Sequence, residues 1–152
     1  MDEAIIWNPT VNVCLNKRTR NFTLLRYAAR EGFGASYVVG PLLPVSKGEM
    51  NSRGLEIVLQ ALRFYKMWPA NTNFTSELKT MGAVKRSRFI AEHRLVSVFQ
   101  EGNGWITIEP QHRTGGGWRG ITGYPKEAKM LRLPLDQEEF YRELMLAFDR
   151  AT

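Results

Sequence analysis

The sequence has few of the residues from which catalytic and metal centres are usually built. Its 152 residues include one cysteine, Cys14, and two histidines, His93 and His112. A lone cysteine excludes an internal disulfide and a cysteine-based zinc site. The histidines have no His-x-x-His or Cys-x-x-Cys companion, which argues against any metal. No apolar run approaches the roughly 18 residues of a membrane span. The opening stretch from Met1 to Trp7 is acidic first and only briefly apolar, unlike a secretory signal. The expectation is a reduced, cytosolic protein with no cofactor.

Familiar nucleophile and phosphate motifs are missing too. Neither Gly32-Phe33-Gly34 nor Gly115-Gly116-Gly117 is followed by the spacing of a phosphate loop or a dinucleotide fingerprint. Ser36, Ser46 and Ser97 lack a nucleophile-elbow context. Cys14 sits in an alternating strand with Val11, Val13 and Leu15 and has no base beside it, so it reads as buried and inert. A histidine and Glu109 are the only acid–base pair to consider, and both histidines read as surface residues. No enzyme is expected.

What is present is an ordinary globular composition, 43% apolar and 24% charged, enough for one domain spanning 1–152. Twenty-one basic against fifteen acidic side chains leave a net charge of +6, which favours an acidic partner. Lys17, Arg18, Arg20, Arg26 and Arg30 form one basic run, and Lys79, Lys85, Arg86, Arg88 and Arg94 form another. The C-terminal segment is acidic, with Asp136, Glu138, Glu139, Glu143 and Asp149.

Period-two alternation predicts a strand at Val11 to Leu15, while Tyr27 to Ala29 fit a strand or a short helix. A short strand at Ser36 to Gly40 should leave the sheet at Pro41 to Pro44. Ser46 with Glu49 has capping-box spacing, and Ser52 is a second N-cap choice. The stripe of Leu55, Val58, Leu59 and Leu62 predicts a helix near 54–67, ended by Trp68-Pro69. Short helical pieces follow at 75–81 and 84–93, the second with Phe89 and Ile90 as buried anchors.

Leu95 to Phe99 and Trp105 to Ile108 predict a hairpin through Gly102 and Gly104, with Pro110 ending its second strand. A glycine-rich loop from His112 to Tyr124 and a strand at 128–133 lead to a helix over 136–150. That helix has Asp136 as N-cap, a Leu135–Phe140 staple and a Phe140, Leu144, Ala147, Phe148 stripe.

Two segments, Tyr37 to Leu62 and Met130 to Phe148, share a plan of strand, proline exit, capped turn and amphipathic helix. The fold class expected is α+β: a twisted, mostly antiparallel sheet with helices near 54–67 and 136–150 and a pseudo-repeat of two strand–helix halves.

Phe89 to Phe99, the Gly102-Asn103-Gly104 turn, Ile106 to Pro110, the glycine-rich loop and Leu133 to Phe140 together resemble immunity proteins of bacterial contact-dependent growth inhibition systems. Tyr37 to Pro41 and Leu55 to Leu62 are similar to that family's first half, so the likeness covers roughly residues 36–150. The resemblance implies a cytosolic, non-enzymatic protein that binds the C-terminal toxin domain of a large exported effector, commonly a nuclease. One immunity protein would bind one toxin and block its access to substrate.

Tight inhibitors bury a few aromatic or arginine anchors inside a charged rim. On the hairpin and following loop these would be Trp105, Arg113, Trp118, Arg119 and Tyr124. Glu138 and Glu139 supply a local acidic face. The alternative is a basic nucleic-acid-binding module, in which Lys85, Arg86 and Arg88 neutralise phosphates and Trp105, Trp118 and Tyr124 stack bases.

Overall fold

The computed structural model describes residues 8–32, 36–65, 67–102, 104–114, 117–120 and 127–152. The elements run β1 (Thr10–Asn16), β2 (Phe22–Arg30), β3 (Ser36–Val38), β4 (Leu43–Val45), α1 (Lys47–Phe64), β5 (Met67–Trp68), α2 (Glu77–Thr80) and α3 (Ala83–Glu92). Then follow β6 (His93–Glu101), β7 (Trp105–Thr114), β8 (Gly117–Gly120), β9 (Lys129–Arg132) and α4 (Gln137–Arg150). The fold is α+β, as expected.

Hydrogen-bonded neighbours run β3–β2–β1–β6–β7–β8, with β4 and β5 also on β2 and β9 also on β7. Every pairing is antiparallel except β2 with β5. The β6–β7 hairpin turns where expected, with Gly102 and Gly104 at φ 58° and 94°, a region closed to most side chains.

One face of the sheet carries the main core. Val11, Val13 and Leu15 of β1, Phe22 and Leu24 of β2, Val96 and Val98 of β6, and Ile106 and Ile108 of β7 are buried on it. α1 and α4 cover this face with Val58, Leu62, Phe140, Leu144 and Phe148. Each helix follows a short strand, β4 on one edge and β9 on the other, so the two strand–helix halves enter from opposite sides of a shared sheet.

α1 starts on the Ser46–Glu49 capping box: Glu49 N–H donates to Ser46 Oγ at 3.1 Å and Ser46 N–H to the Glu49 carboxylate at 3.3 Å. It therefore begins well before residue 54. It ends at Phe64 rather than 67, because Met67 and Trp68 are extended and pair with Ala29 and Arg30. Asp136 does stand at the N-cap of α4, but its side chain caps no backbone N–H.

Where α1 crosses α4, Arg53 leaves helical geometry (φ −146°, ψ 22°). The neighbouring Gly54 is buried, and a Cβ there would come within 2.5 Å of Met50 Sδ. The Gln137 side-chain amide engages three backbone groups beside the kink. Gln137 accepts from Leu55 N–H at 2.9 Å and donates to the carbonyls of Met50 and Asn51, each at 3.0 Å.

Two prolines and the α3 anchors depart from the expected pattern, and the choice left open at Tyr27 to Ala29 is settled. Tyr27 to Ala29 are strand, inside β2. Pro44 stays in the sheet, paired with Thr23 on an edge strand where its missing N–H is harmless. Pro110 does not end β7. β9 pairs with Trp105 to Ile108 and β8 with Gln111 to Thr114, so Pro110 falls between the two outer partners and the strand runs through it. In α3, Phe89 and Ile90 are only half-buried.

Candidate partner-binding surface

The second face of the sheet differs chemically from the first. Asn12 of β1 lies opposite Leu25 of β2 and Ser97 of β6, and Ser97 lies opposite Glu109 of β7. Ser97 Oγ donates to Asn12 Oδ1 at 2.6 Å, and Asn12 Nδ2 donates to Tyr27 Oη at 2.5 Å. Cys14, Leu25 and Leu95 form a small core beside this polar row, covered by Leu78 and Phe89 from the α2–α3 region. Burial pushes the Cys14 thiol well above its ordinary range, so it is held protonated and unreactive. The Tyr27 phenol is pushed up too, by burial first and then by neighbouring Cys14.

His93 is buried, not at the surface. Its ring stacks on Phe89 with centroids 4.1 Å apart, and its Nδ1–H donates to the Phe89 carbonyl at 2.7 Å. Burial, foremost, and nearby Lys17 lower its pKa. The Phe89–His93 spacing of i, i+4 is the sequence signal for this contact. His112 is half-buried and meets Glu127 at 2.7 Å and the Thr152 hydroxyl at 3.2 Å. Glu109 faces the opposite side of β7 from His112, so the two make no acid–base pair. Burial, then the charges of Glu101 and Glu127, raise the Glu109 pKa.

The expected anchors fall into two separate groups. Trp105 opens β7 and Arg113 lies eight residues on, about 27 Å along a continuous strand. The two side chains therefore do not touch one another, although both lie on the same side of β7.

At the hairpin end, Trp105 is 39% exposed and pairs across strands with Glu101 and Arg132, whose guanidinium lies 5.9 Å from its ring. Met130, 52% exposed, is two residues along on the same face of β9. The alternation of β9 against β7 places Met130 and Arg132 beside Trp105. Leu133 N–H donates to the Gly104 carbonyl at 2.6 Å, which brings the α4 N-terminus, with exposed Glu138 and half-buried Glu139, to this same end.

At the far end, Arg113 is exposed and pairs with Trp118, and His112 with Arg119. β8 packs against α3. Tyr124 lies outside the described residues. The Lys17–Arg20 part of the first basic run meets the second run here, while Arg26 and Arg30 lie toward the other end of β2. Lys17 N–H donates to the Glu92 carbonyl at 2.9 Å and Lys17 Nζ to the Ala91 carbonyl at 3.1 Å, docking the β1–β2 turn on the end of α3. Arg18, Arg20, Lys85 and Arg88 are exposed around that junction. The β1–β2 turn and α3 thus present exposed basic side chains side by side, whereas the hairpin end mixes Glu101, Glu138 and Glu139 with Arg132.

No protein-family model matches the sequence, and no curated protein matches it. Solved structures do match in fold. A protein of unknown function from Neisseria meningitidis is 16% identical with a TM-score of 0.69, over the full length of both chains. A chain from the CdiA-CT/CdiI toxin and immunity complex from Yersinia pseudotuberculosis is 14% identical with a TM-score of 0.71, over 97% of this chain and 99% of that one. No helix among the described residues is long and apolar enough to cross a membrane.

Proposed function

We propose that this protein is an immunity protein: it binds the toxin domain of a large exported effector inside the producing cell and keeps that toxin from its substrate. The observation that carries this reading is the end-to-end likeness in fold to a chain of a toxin and immunity complex. The toxin is a nuclease on this reading, one immunity protein binds one toxin, and inhibition is steric, without catalysis by the immunity protein. The chemistry of the chain is consistent with such a role. Cys14 is sealed in the small core, His93 is stacked and buried, and His112 holds Glu127 to the end of the chain.

Inhibitors that plug a nuclease cleft gain from imitating the phosphate backbone, which favours an acidic surface. A net charge of +6 argues for docking elsewhere on the toxin, with substrate access blocked by bulk rather than mimicry. Charge of either sign still speeds encounter when the partner carries its complement.

The test is co-expression of this chain with the C-terminal fragment of the exported protein encoded beside it. A stoichiometric complex together with restored growth supports the reading. The second reading, nucleic-acid binding, rests on the basic surface alone, and salt-steep binding of mixed-sequence nucleic acid without any toxin complex would put it first.

A further inference from the structure

We infer that the basic surface formed by the β1–β2 turn and α3 is the docking face for an acidic protein surface, which on the function proposed above is the toxin's. The Lys17–Arg20 turn and the basic residues of α3 lie far apart in sequence, yet the Lys17 hydrogen bonds to Glu92 and Ala91 join them into one surface. Among the described residues no ion pair engages Arg18, Arg20, Lys85, Arg86 or Arg88. Their charge is therefore available to a partner.

The turn is held rigid before any partner arrives. Asn16 Oδ1 accepts from the N–H groups of Arg18 and Thr19, each at 2.9 Å. Asn16 N–H donates to the Asn21 carbonyl at 2.9 Å and Arg20 N–H to the Asn16 carbonyl at 3.0 Å. Arg20 takes a left-handed φ of 64° to close the turn. Such preorganisation lowers the ordering cost of binding.

The shape of the surface selects between an acidic protein and a nucleic acid. A groove of about 390 Å³ runs along α3, lined by Glu77, Met81, Lys85, Arg88, Phe89 and Glu92. Glu92 also borders a smaller hollow of about 190 Å³ beside Arg18. Half-buried Met81 and Phe89 give the groove an apolar floor, suited to a side chain of a protein partner. Two carboxylates on its walls would repel a phosphate backbone, whereas on a protein they find lysine or arginine among the acidic residues. Arg113 extends the positive rim on β7, and β8 brings the Trp118 and Arg119 positions alongside α3.

The experiment uses the full chain, the C-terminal toxin fragment of the neighbouring exported protein, and a short mixed-sequence RNA. The variant is the triple charge reversal Arg18→Glu, Lys85→Glu, Arg88→Glu, all at exposed positions. A second triple, Arg132→Glu, Glu138→Lys and Glu139→Lys, perturbs the opposite end. Urea midpoints and far-ultraviolet circular dichroism establish that both remain folded.

The first triple is expected to weaken toxin binding by at least about 30-fold, chiefly through slower association at low salt, and the second by less than about threefold. Unchanged toxin affinity in the first triple would overturn the docking face while leaving the immunity function standing. Tight RNA binding by the natural chain, lost in the first triple while toxin affinity stays unchanged, would reassign the surface to nucleic acid. Absence of any complex with the natural chain would overturn the function itself, and the docking face with it.

Discussion

Gln137 is the point at which the two long helices are locked together, and its removal has a calculable cost. Beside the kink at Arg53, one side-chain amide bonds Leu55 N–H and the carbonyls of Met50 and Asn51. In Gln137→Ala the bond to the Asn51 carbonyl costs little, because that site is exposed and water replaces it. The bonds to Leu55 N–H and the Met50 carbonyl are part-buried, and at about 1 kcal/mol each their loss totals about 2 kcal/mol. For a chain of this size that corresponds to a fall in Tm of about 4–8 °C.

Urea denaturation followed by circular dichroism reads the effect as a lower midpoint with an unchanged slope. Gln137→Glu keeps the acceptor for Leu55 N–H but sets a carboxylate against two carbonyls, so it should recover no stability over alanine. The neighbouring Glu138→Ala, whose side chain is exposed, should stay within about 0.5 kcal/mol of the natural chain. A loss below about 0.5 kcal/mol in Gln137→Ala, or equal losses at 137 and 138, would refute the locking role.

Gly54→Ala should destabilise by about 1 kcal/mol: overpacking against Met50 costs about 1–3 kcal/mol, and alanine's better helix propensity returns up to about 1 kcal/mol. Adding Met50→Ala should cancel much of the clash, so a double-mutant cycle showing no coupling would contradict the close approach. His93 is held neutral with its pKa below the ordinary value, so the unfolded chain binds its proton first. Stability should therefore fall as pH drops below about 6.5, the ordinary histidine value, and level off below the folded pKa. His93→Gln should flatten that part of the stability–pH curve, and an unchanged slope would contradict the assignment. Trp118→Ala should weaken toxin binding by more than about 2 kcal/mol by calorimetry, and unchanged affinity would remove it from the interface.

Local signals in the sequence were reliable where local physics decides. The Ser46–Glu49 capping box, the apolar stripes of α1 and α4 and the glycines of the β6–β7 turn all stand where their spacing put them. Prolines misled, because a proline's effect on a strand depends on what lies beside it. Pro44 sits on an outer strand and Pro110 in the gap between two partners, and neither circumstance is written in the neighbouring residues. The consequence reached the candidate surface. With β7 continuous, Trp105 and Arg113 part company, and Arg113 joins the end where α3 and the β1–β2 turn meet. Joining the Lys17–Arg20 turn to the basic residues of α3 required a contact between Lys17 and the end of α3, a long-range pairing that no periodicity reveals.

The central claim is that this chain neutralises a toxin by binding it. Its most direct test is growth of cells expressing the neighbouring effector's toxin fragment, with and without this chain, together with purification of the two proteins as a complex. The account predicts full rescue of growth and a one-to-one complex that persists through size-exclusion chromatography. Continued growth arrest with no complex recovered, while both proteins are expressed and folded, would contradict it.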